Sequence, residues 1–384
     1  MPTLSAFEDV PLAQKLGGSL LKIYKQDNHL RKMFLSYKVC FTKEGQPWIS
    51  PVVPKIRQQL SRDPSLNYEY LPAIGLKSFI QASLDLLFGK YSQVIMENRV
   101  GGLHTVGDSG AFHLGAQFLK IWYKKSQDVY IISSQGERHG QIFRDMGFMV
   151  HEYSFWNSNK LRIDPNLIFS VVENKEIFPF FDIPSQGFFT GDLEEDTRFL
   201  QYFVDHRFEF FCSQFLSRNF GIYDEGVGLL VVVTFSNQIL LCILSQLMKI
   251  TQALWLNPPN TGARIITSIL SNSSLQEEWK QSLIEVVENI MMIKEKMKEK
   301  LRLMGTPGSW NHITEQRGTH CNIGLNSQQL DYLIKKKHIY ISQNSCINLT
   351  CVNGSNIDYI VQSIYEAVIF TKSLEQKSLG TIHS

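Results

Sequence analysis

Residues 208–221 read FEFFCSQFLSRNFG, an apolar run that leads into a more polar segment. The run 208–212 has the length and apolarity of a buried strand, and residues 229–234 form a second such run. Upstream, residues 129–133 and 178–181 have the same character, and segments with helical periodicity lie among these runs. Strands that alternate with helices predict an α/β fold with a mainly parallel sheet.

The last third of the chain has helical periodicity. From residue 275 to residue 304, apolar residues recur at gaps of three or four, which marks one face of a long helix. Gly305 and Pro307 end this helix, because neither residue continues a helix well. The alternating charges of residues 294–300 predict a solvated face, and residues 357–372 predict a final helix. We expect the long helix to connect a large central domain with a smaller one that contains the C-terminus.

The composition excludes several classes of protein. The 384 residues are 43% hydrophobic and 19% charged, as in an ordinary globular chain. The formal net charge is only +2, so charge gives no reason to expect nucleic acid or a membrane surface as partner. The apolar stretch 227–248 is interrupted at residues 236–238, and neither half approaches the ~20 residues of a membrane span. We expect a strand followed by a helix there.

Cysteine and histidine usage argues against extracellular and metal-binding classes. The first ten residues contain no apolar run, so we expect no secretory signal. The six cysteines are too sparse for a disulfide scaffold and show no CxxC pair, which favours reduced thiols in the cytoplasm. The ten histidines are scattered without an HExxH motif, and we therefore predict no metal site.

Two local features are candidate ligand-binding positions. Residues 107–111, GDSGA, precede an amphipathic segment, and a small-residue turn that enters a helix can hold a phosphate on its backbone N–H groups. The same turn fits a plain helix start. Asp182 ends the aromatic run 178–181, at the edge where α/β sheets bind ligands, although a capping or loop aspartate fits this pattern too.

Several longer strings occur in the order of one known family. These strings are residues 46–48, 65–72, 99–102, 208–212, 219–221, 257–259, 262–264 and 310–314. On these strings the chain resembles the aspartate aminotransferases of the cytosolic type, which are class-I aminotransferases that use pyridoxal 5'-phosphate (PLP). The resemblance extends from about residue 34 to residue 370, which is nearly the whole chain.

The resemblance implies a fold-type-I architecture with two domains. A large α/β domain with a mainly parallel sheet would comprise residues 48–285. A smaller α/β domain would combine residues 15–47 with residues 286–384, and residues 1–14 would form an N-terminal arm. The family is cytoplasmic and homodimeric, with active sites at the subunit interface, and a heterodimer is the alternative partner arrangement.

The resemblance also implies a reaction and a cofactor. The family transfers the amino group of L-aspartate to 2-oxoglutarate, which gives oxaloacetate and L-glutamate, through a PLP Schiff base on a lysine. The family's lysine stands immediately before Asn219, where this chain has Arg218. A guanidinium stays protonated in proteins and cannot form a Schiff base or shuttle a proton, so we expect no covalent aldimine.

The phosphate-binding positions are only partly retained. Ser109, Gly110 and Tyr70 match the family's phosphate contacts. The family's phosphate-clamping arginine falls at Gly226, and Asp108 replaces a glycine beside Ser109. A carboxylate repels a phosphate, whereas the lost arginine would form a bidentate pair with it.

The ring and substrate positions differ more widely. Asp182 matches the acid that holds the pyridine nitrogen of PLP protonated, but Ser185 replaces the tyrosine that bonds the ring oxygen, and residues 133–139 contain no stacking tryptophan. The two arginines that hold the substrate carboxylates fall at Cys346 and Gln252, the second donated across the dimer. Dicarboxylate specificity depends on those two bidentate forks.

One further substitution adds a charge: a glycine of the family's N-terminal segment is Lys38 here. Lys38 and Cys346 are candidate new functional groups, although a solvated loop lysine is the simpler interpretation of Lys38. We expect the small-molecule partner to be an amino acid or a 2-oxo acid, and three hypotheses follow for the function of the chain. The chain is an aspartate aminotransferase with impaired or altered chemistry, a non-catalytic dimer partner that keeps the scaffold, or a small-molecule sensor in which Arg218 pairs with Asp182.

Overall fold

A computed structural model describes residues 9–11, 20–67, 69–132, 137–153, 156–157, 162–163, 172 and 177–380. The helices are α1 (Leu20–Gln26), α2 (Val52–Ser61), α3 (Lys77–Phe88), α4 (Gln93–Met96), α5 (Gly107–Trp122), α6 (Glu137–Asp145), α7 (Leu193–Asp205), α8 (Ser217–Phe220), α9 (Asn237–Leu254), α10 (Thr261–Leu270), α11 (Ser273–Leu303), α12 (His312–Glu315), α13 (Ser327–Lys337) and α14 (Ile357–Gly380). A short 3₁₀ turn covers Leu349–Cys351. Most of the predicted arm 1–14 lies outside the described residues.

The strands form one four-stranded sheet and several two-stranded pairs. Their bounds are β1 (Met33–Phe34), β2 (Val100–Val106), β3 (Asp128–Ile132), β4 (Met149–Tyr153), β5 (Trp156–Asn157), β6 (Arg162–Ile163), β7 (Phe180–Ile183), β8 (Phe210–Phe215), β9 (Val227–Val233), β10 (His320–Asn322), β11 (Ile339–Tyr340) and β12 (Cys346–Asn348). The four-stranded sheet has the order β2-β9-β8-β7, and β3 pairs with β4 in parallel.

The strands confirm the predicted α/β class with parallel elements, although two of the three pairings in the four-stranded sheet are antiparallel. β7 and β8 are parallel, while β9 runs antiparallel to both β8 and β2. Therefore β2, β7 and β8 share one direction and β9 alone is reversed. Every residue of β9 is buried, which explains its unbroken apolar sequence. The expected strand-then-helix over residues 227–248 is present as β9 and α9.

The shared direction of β2, β7 and β8 gathers three chain segments at one edge of the sheet. The carboxyl end of β2 leads directly into α5, and that of β8 leads into α8. Asp182 lies near the carboxyl end of β7, inside the strand rather than just after it as its sequence suggests. This edge holds most of the residues singled out in the sequence.

The long helix α11 begins and ends close to the predicted residues. The side chain of Asn272 accepts hydrogen bonds from the first N–H groups of the helix, and Gly305 follows its end with φ 65°. Trp279 and Leu283 pack into the core around the large sheet. Further along, Ile290 and Met297 pack into a second core, which also contains Leu35 of the N-terminal segment and buried residues up to Val368.

This arrangement is consistent with a helix that connects two domains, while the proposed boundaries 48–285 and 286–384 stay predictions. The charged face of α11 differs from its prediction at one residue. Lys294 is 4% exposed and donates from Nζ to the carbonyl of Gln316 at 2.6 Å, because it lies on the same side of the helix as Ile290 and Met297. None of the described helices is long and apolar enough to cross a bilayer.

Candidate functional site

The candidate site lies at the carboxyl edge of β7 and β8. Asp182 of β7 is paired in register with Ser213 of β8, and α8, which carries Arg218, follows β8 after a single residue. In a parallel pair, residues in register point to the same face of the sheet. The side chains of Asp182 and Ser213 therefore lie together, and Arg218 is added to them by the turn into α8.

Arg218 makes few contacts for a half-buried cation. Its Nη1 donates to Ser185 Oγ at 3.4 Å, which is a long hydrogen bond. Its Nε is buried and has no hydrogen-bond partner. Among the described carboxylates, none lies within 4.0 Å of the guanidinium. Arg218 therefore makes no direct ion pair with Asp182 within 4.0 Å and bonds Ser185 instead, although its charge still lowers the pKa of Asp182, so the predicted pairing of the two stays a prediction.

The backbone that carries Arg218 is held firmly from α11 and the N-terminal segment. Trp279 is fully buried, stacks on Phe220 with ring centroids 4.7 Å apart, and donates from Nε1 to the carbonyl of Asn219 at 2.8 Å. Gly221 has φ 69°, and a Cβ at this position would lie 2.4 Å from the carbonyl oxygen of Trp48. Only glycine fits this close approach, so the backbone conformation of the turn after Arg218 requires glycine at residue 221.

Asp182 is a buried acid with little hydrogen bonding. Its Oδ1 has no partner, and its Oδ2 lies 3.9 Å from Nε2 of His139. Burial raises the pKa of Asp182 to about 7, and the nearby carboxylate of Asp108 raises it further, whereas Arg138 and Arg218 oppose the rise. At neutral pH this carboxyl group can therefore either accept or donate a hydrogen bond.

His139 is a site residue that the sequence did not reveal. It lies in the first turn of α6, and its ring stacks on Phe112 of α5 with centroids 3.9 Å apart. Burial lowers the pKa of His139 to about 4, and the charge of Arg138 lowers it further, so the ring is neutral at pH 7. Only the folded packing of α6 against α5 brings this histidine to Asp182.

The start of α5 is occupied by its own side chain. Oδ1 of Asp108 accepts from the backbone N–H of Ser109 at 2.7 Å, and Oδ2 forms an ion pair with Arg138. A cradle for phosphate needs free N–H groups at such a helix start. Here the carboxylate already takes one of them. The turn thus begins a helix, as one of the two sequence interpretations holds, and its first donor is satisfied internally.

The neighbouring glycines keep this corner open. Gly107 has φ 67°, and a Cβ there would come near the carbonyl oxygen of Gly226 at 3.7 Å. Gly226 itself has φ 60° and open space where a side chain would begin. A Cβ at Gly110 would lie 3.5 Å from Cη2 of Trp255, whose Nε1 is buried without a partner.

The remaining predicted residues lie on other segments of the chain, and no described contact joins Tyr70, Gln252 or Cys346 to Asp182 or Arg218. Tyr70 is 79% exposed, and Gln252 is exposed on α9. Lys38 is also exposed, yet its charge lowers the pKa of both His139 and His320, which places it near the cleft. Cys346 is half-buried on β12, and burial raises the pKa of its thiol to about 11, so the thiol is neutral at pH 7.

A second pair that the sequence did not indicate lies beside Arg218. The hydroxyl of Tyr223 accepts from the backbone N–H of Cys40 at 3.0 Å, which ties the N-terminal segment to the large sheet region. Burial raises the pKa of Cys40 to about 11, and the positive charge of Arg218 opposes that rise. Burial likewise raises the pKa of Tyr223. The sequence does not indicate that these two residues meet, because they are 183 positions apart in the chain.

Metal binding finds no support in the part of the chain that the structure describes. No group of three or more histidine, cysteine, aspartate or glutamate side chains is arranged there to hold an ion. Residues 133–136 of the loop where the family has its stacking tryptophan, and most of the segment 154–176, lie outside the described residues.

The fold, together with this cleft at the sheet edge, is that of the aminotransferases. A family model described as aminotransferase class I and II matches residues 166–364. The chain belongs to this family, as its resemblance predicted. It is 64% identical to a human protein named "Putative aspartate aminotransferase, cytoplasmic 2", over 98% of this chain and 96% of that protein. It is 36% identical to the chicken "Aspartate aminotransferase, cytoplasmic", over 95% and 98% of the two chains.

Solved structures confirm the fold-type-I architecture. The aromatic-amino-acid aminotransferase from Burkholderia pseudomallei, covalently bound to pyridoxal phosphate, superposes with a TM-score of 0.89 at 25% identity, over 95% of this chain and 100% of that chain. The cytoplasmic aspartate aminotransferase of Saccharomyces cerevisiae gives a TM-score of 0.87 at 25% identity, over 95% and 99%. The scaffold is thus retained at nearly full length.

Proposed function

We propose that this chain is a cytoplasmic aspartate aminotransferase by descent, acting on L-aspartate and 2-oxoglutarate, whose catalysis is severely impaired. The observation that carries the proposal is Arg218. The family's Schiff-base lysine position holds a guanidinium that reaches Ser185 and has a buried Nε without a partner. A Schiff base requires a neutral amine with a free electron pair, and a protein guanidinium does not lose its proton.

The remaining cofactor positions support the same proposal. The carboxylate of Asp108 takes the Ser109 N–H, where the family binds phosphate, and pairs with Arg138. Gly226 offers open space in place of an arginine. Asp182 is retained at the position where the family has the acid that faces the pyridine nitrogen of PLP. We infer that the residues present do not fit covalently held PLP, and we assign no reaction step to it.

The substrate positions point in the same direction. Cys346 carries a neutral thiol, and Gln252 an uncharged amide, where the family uses two arginines. Neither group attracts a carboxylate as a guanidinium fork does. The exposure of Gln252 supports a homodimer, because the resemblance implies that the residue at this position serves the active site of the partner subunit.

A second candidate function is a non-catalytic dimer partner for an active aminotransferase. It is favoured by the retained support under α8, since the Trp279 stack and the Gly221 turn persist although the residue they position has changed. A chain that retains this packing can still present the surface through which the family forms dimers.

One experiment on the purified protein tests the proposal. We expect no imine absorbance after PLP is added, no pyridoxyl group on a lysine after borohydride reduction, and transamination of L-aspartate with 2-oxoglutarate far slower than that of an active enzyme. The aspartate aminotransferase of the yeast cytoplasm is the positive control. A pyridoxyl-lysine found by mass spectrometry, together with turnover, would contradict the proposal. Co-purification with an active aminotransferase subunit would favour the second candidate.

A further inference from the structure

The guanidinium of Arg218 is the most conspicuous unsatisfied group of the cleft. Removing a cation from water is costly unless an anion or several hydrogen bonds replace the lost hydration. Arg218 has one long bond to Ser185 and a buried Nε without a partner. The fold holds this side chain in place from behind, through Phe220 and Trp279.

The described anions nearby do not meet this need. Asp108 is committed to Arg138 and to the N–H of Ser109. Asp182 lies beyond 4.0 Å from the guanidinium and nearest to His139. Because burial raises the pKa of Asp182 to about 7, it offers only a partial negative charge at neutral pH. Among the residues that the structure describes, no carboxylate satisfies the guanidinium, which leaves its fork available to an anion from outside this chain.

We propose that Arg218 binds the carboxylate of a small amino acid or 2-oxo acid, non-covalently, in the cleft beside Asp182. The planar fork of arginine matches a carboxylate with two parallel hydrogen bonds, which a single Schiff-base lysine does not offer. This inference rests on the proposed function in one respect, because the cleft beside Arg218 is free for such a ligand only if PLP is not held there covalently.

Neighbouring orphan groups supply the second contact of the ligand. Oδ1 of Asp182 and Oγ of Ser213 are buried in register on β7 and β8, where the Ser213 hydroxyl helps to lower the pKa of Asp182, and neither atom has a further hydrogen-bond partner. They suit the ammonium of an amino acid or the keto oxygen of a 2-oxo acid, since a hydroxyl and a carboxyl group can each accept or donate. An acid with both functions would satisfy Arg218 and Asp182 together.

Calorimetric titration of the full chain tests this site with L-aspartate and 2-oxoglutarate as probes. Arg218→Met is expected to weaken binding of either acid at least tenfold, and Arg218→Lys to weaken it less, because it keeps the charge but loses the fork. Arg198→Met is the matched control, since Arg198 pairs with Glu195 on the exposed face of α7. It is expected to change the affinity less than twofold.

A second measurement needs no variant and remains valid if Arg218→Met does not fold. Dimethyl 2-oxoglutarate, which has no carboxylate charge, is expected not to bind the unaltered chain. Equal affinity of the ester and the acid, unchanged affinity in Arg218→Met, or no binding of either acid would each overturn the inference. Imine formation with turnover would instead refute the proposed function, whereas failure of both acids to bind without any imine would refute this inference alone.

Discussion

The carboxylate of Asp108 accepts a 2.7 Å hydrogen bond from the backbone N–H of Ser109 at the start of α5. Its other oxygen pairs with Arg138, so both the donor and the nearest cation of this corner are already engaged. An incoming phosphate would have to displace a fixed negative charge before it met either group. The substitution therefore does more than remove a contact, because it fills the place with an anion of the protein itself.

Replacing this anion should open the corner. Asp108→Gly frees the N–H of Ser109 and the guanidinium of Arg138, so we expect the non-covalent affinity for PLP to rise at least tenfold, measured by quenching of protein fluorescence. Asp108→Asn removes the negative charge but keeps a side chain of the same size in the corner, so it should raise the PLP affinity less. Asp331→Asn, at an exposed pair with Lys335, is the control. Equal PLP affinity in Asp108→Gly and the unaltered chain would show that Asp108 does not close the corner.

Returning the amine alone should restore little catalysis. In Arg218→Lys, we expect a small fraction of pyridoxyl-lysine at residue 218 after borohydride reduction, but transamination below about 1% of that of an active aspartate aminotransferase. The physical reason is that Gly226, Gln252 and Cys346 still provide no cation for the phosphate or the substrate carboxylates. Peptide mass spectrometry and a coupled oxaloacetate assay give the two readings. Activity near that of the active enzyme would mean that position 218 is the only defect.

Asp182 should make the ligand-free protein less stable as the pH rises. Its pKa in the folded chain is about 7, above its ordinary 3.8, so the folded chain keeps a proton that the unfolded chain loses between these values. The free energy of unfolding therefore falls from about pH 4 to pH 7. The charged groups that face Asp182 are Asp108, Arg138 and Arg218, with the neutral ring of His139.

The variant Asp182→Asn removes this titration. Urea unfolding at pH 5 and pH 8 gives the difference in free energy of unfolding between the variant and the unaltered chain. We expect this difference to favour the variant by about 2 kcal/mol more at pH 8 than at pH 5. Asp205→Asn, at an exposed carboxylate bonded to Gln201, serves as control and should show no such difference. A pH-independent difference for Asp182→Asn would indicate that this carboxyl group titrates normally.

The support under α8 should dominate local stability. Trp279→Ala removes a fully buried ring and its stack on Phe220, and we expect a loss of about 3–5 kcal/mol in urea unfolding. Trp279→Phe keeps the ring and loses the hydrogen bond to the carbonyl of Asn219, at a cost of about 1–2 kcal/mol. A cost below about 1 kcal/mol for the alanine variant would contradict the role of Trp279 in holding the turn of Arg218.

Much of the fold was predictable because it depends on local patterns. The apolar runs around residues 129, 178, 208 and 229 each became a strand, displaced by at most three residues at either end. The long helix α11 was evident from its periodicity and its glycine stop. What failed was the exposure of Lys294, since the charge pattern gives no measure of how far the apolar face of α11 wraps around the helix.

The chemistry at position 218 is a property of the residue itself, and the amino-acid sequence alone determined it: a guanidinium keeps its proton in any fold. The family, the sheet class and the altered carboxylate positions likewise followed from residue types and their order. Only the tertiary structure decided which groups meet. It brought His139 to Asp182, placed the Asp108 carboxylate on the helix start, and gave Arg218 a hydrogen bond to Ser185. These contacts depend on distances of a few ångströms between segments far apart in the chain, and such distances exist only once the sheet and its flanking helices have packed.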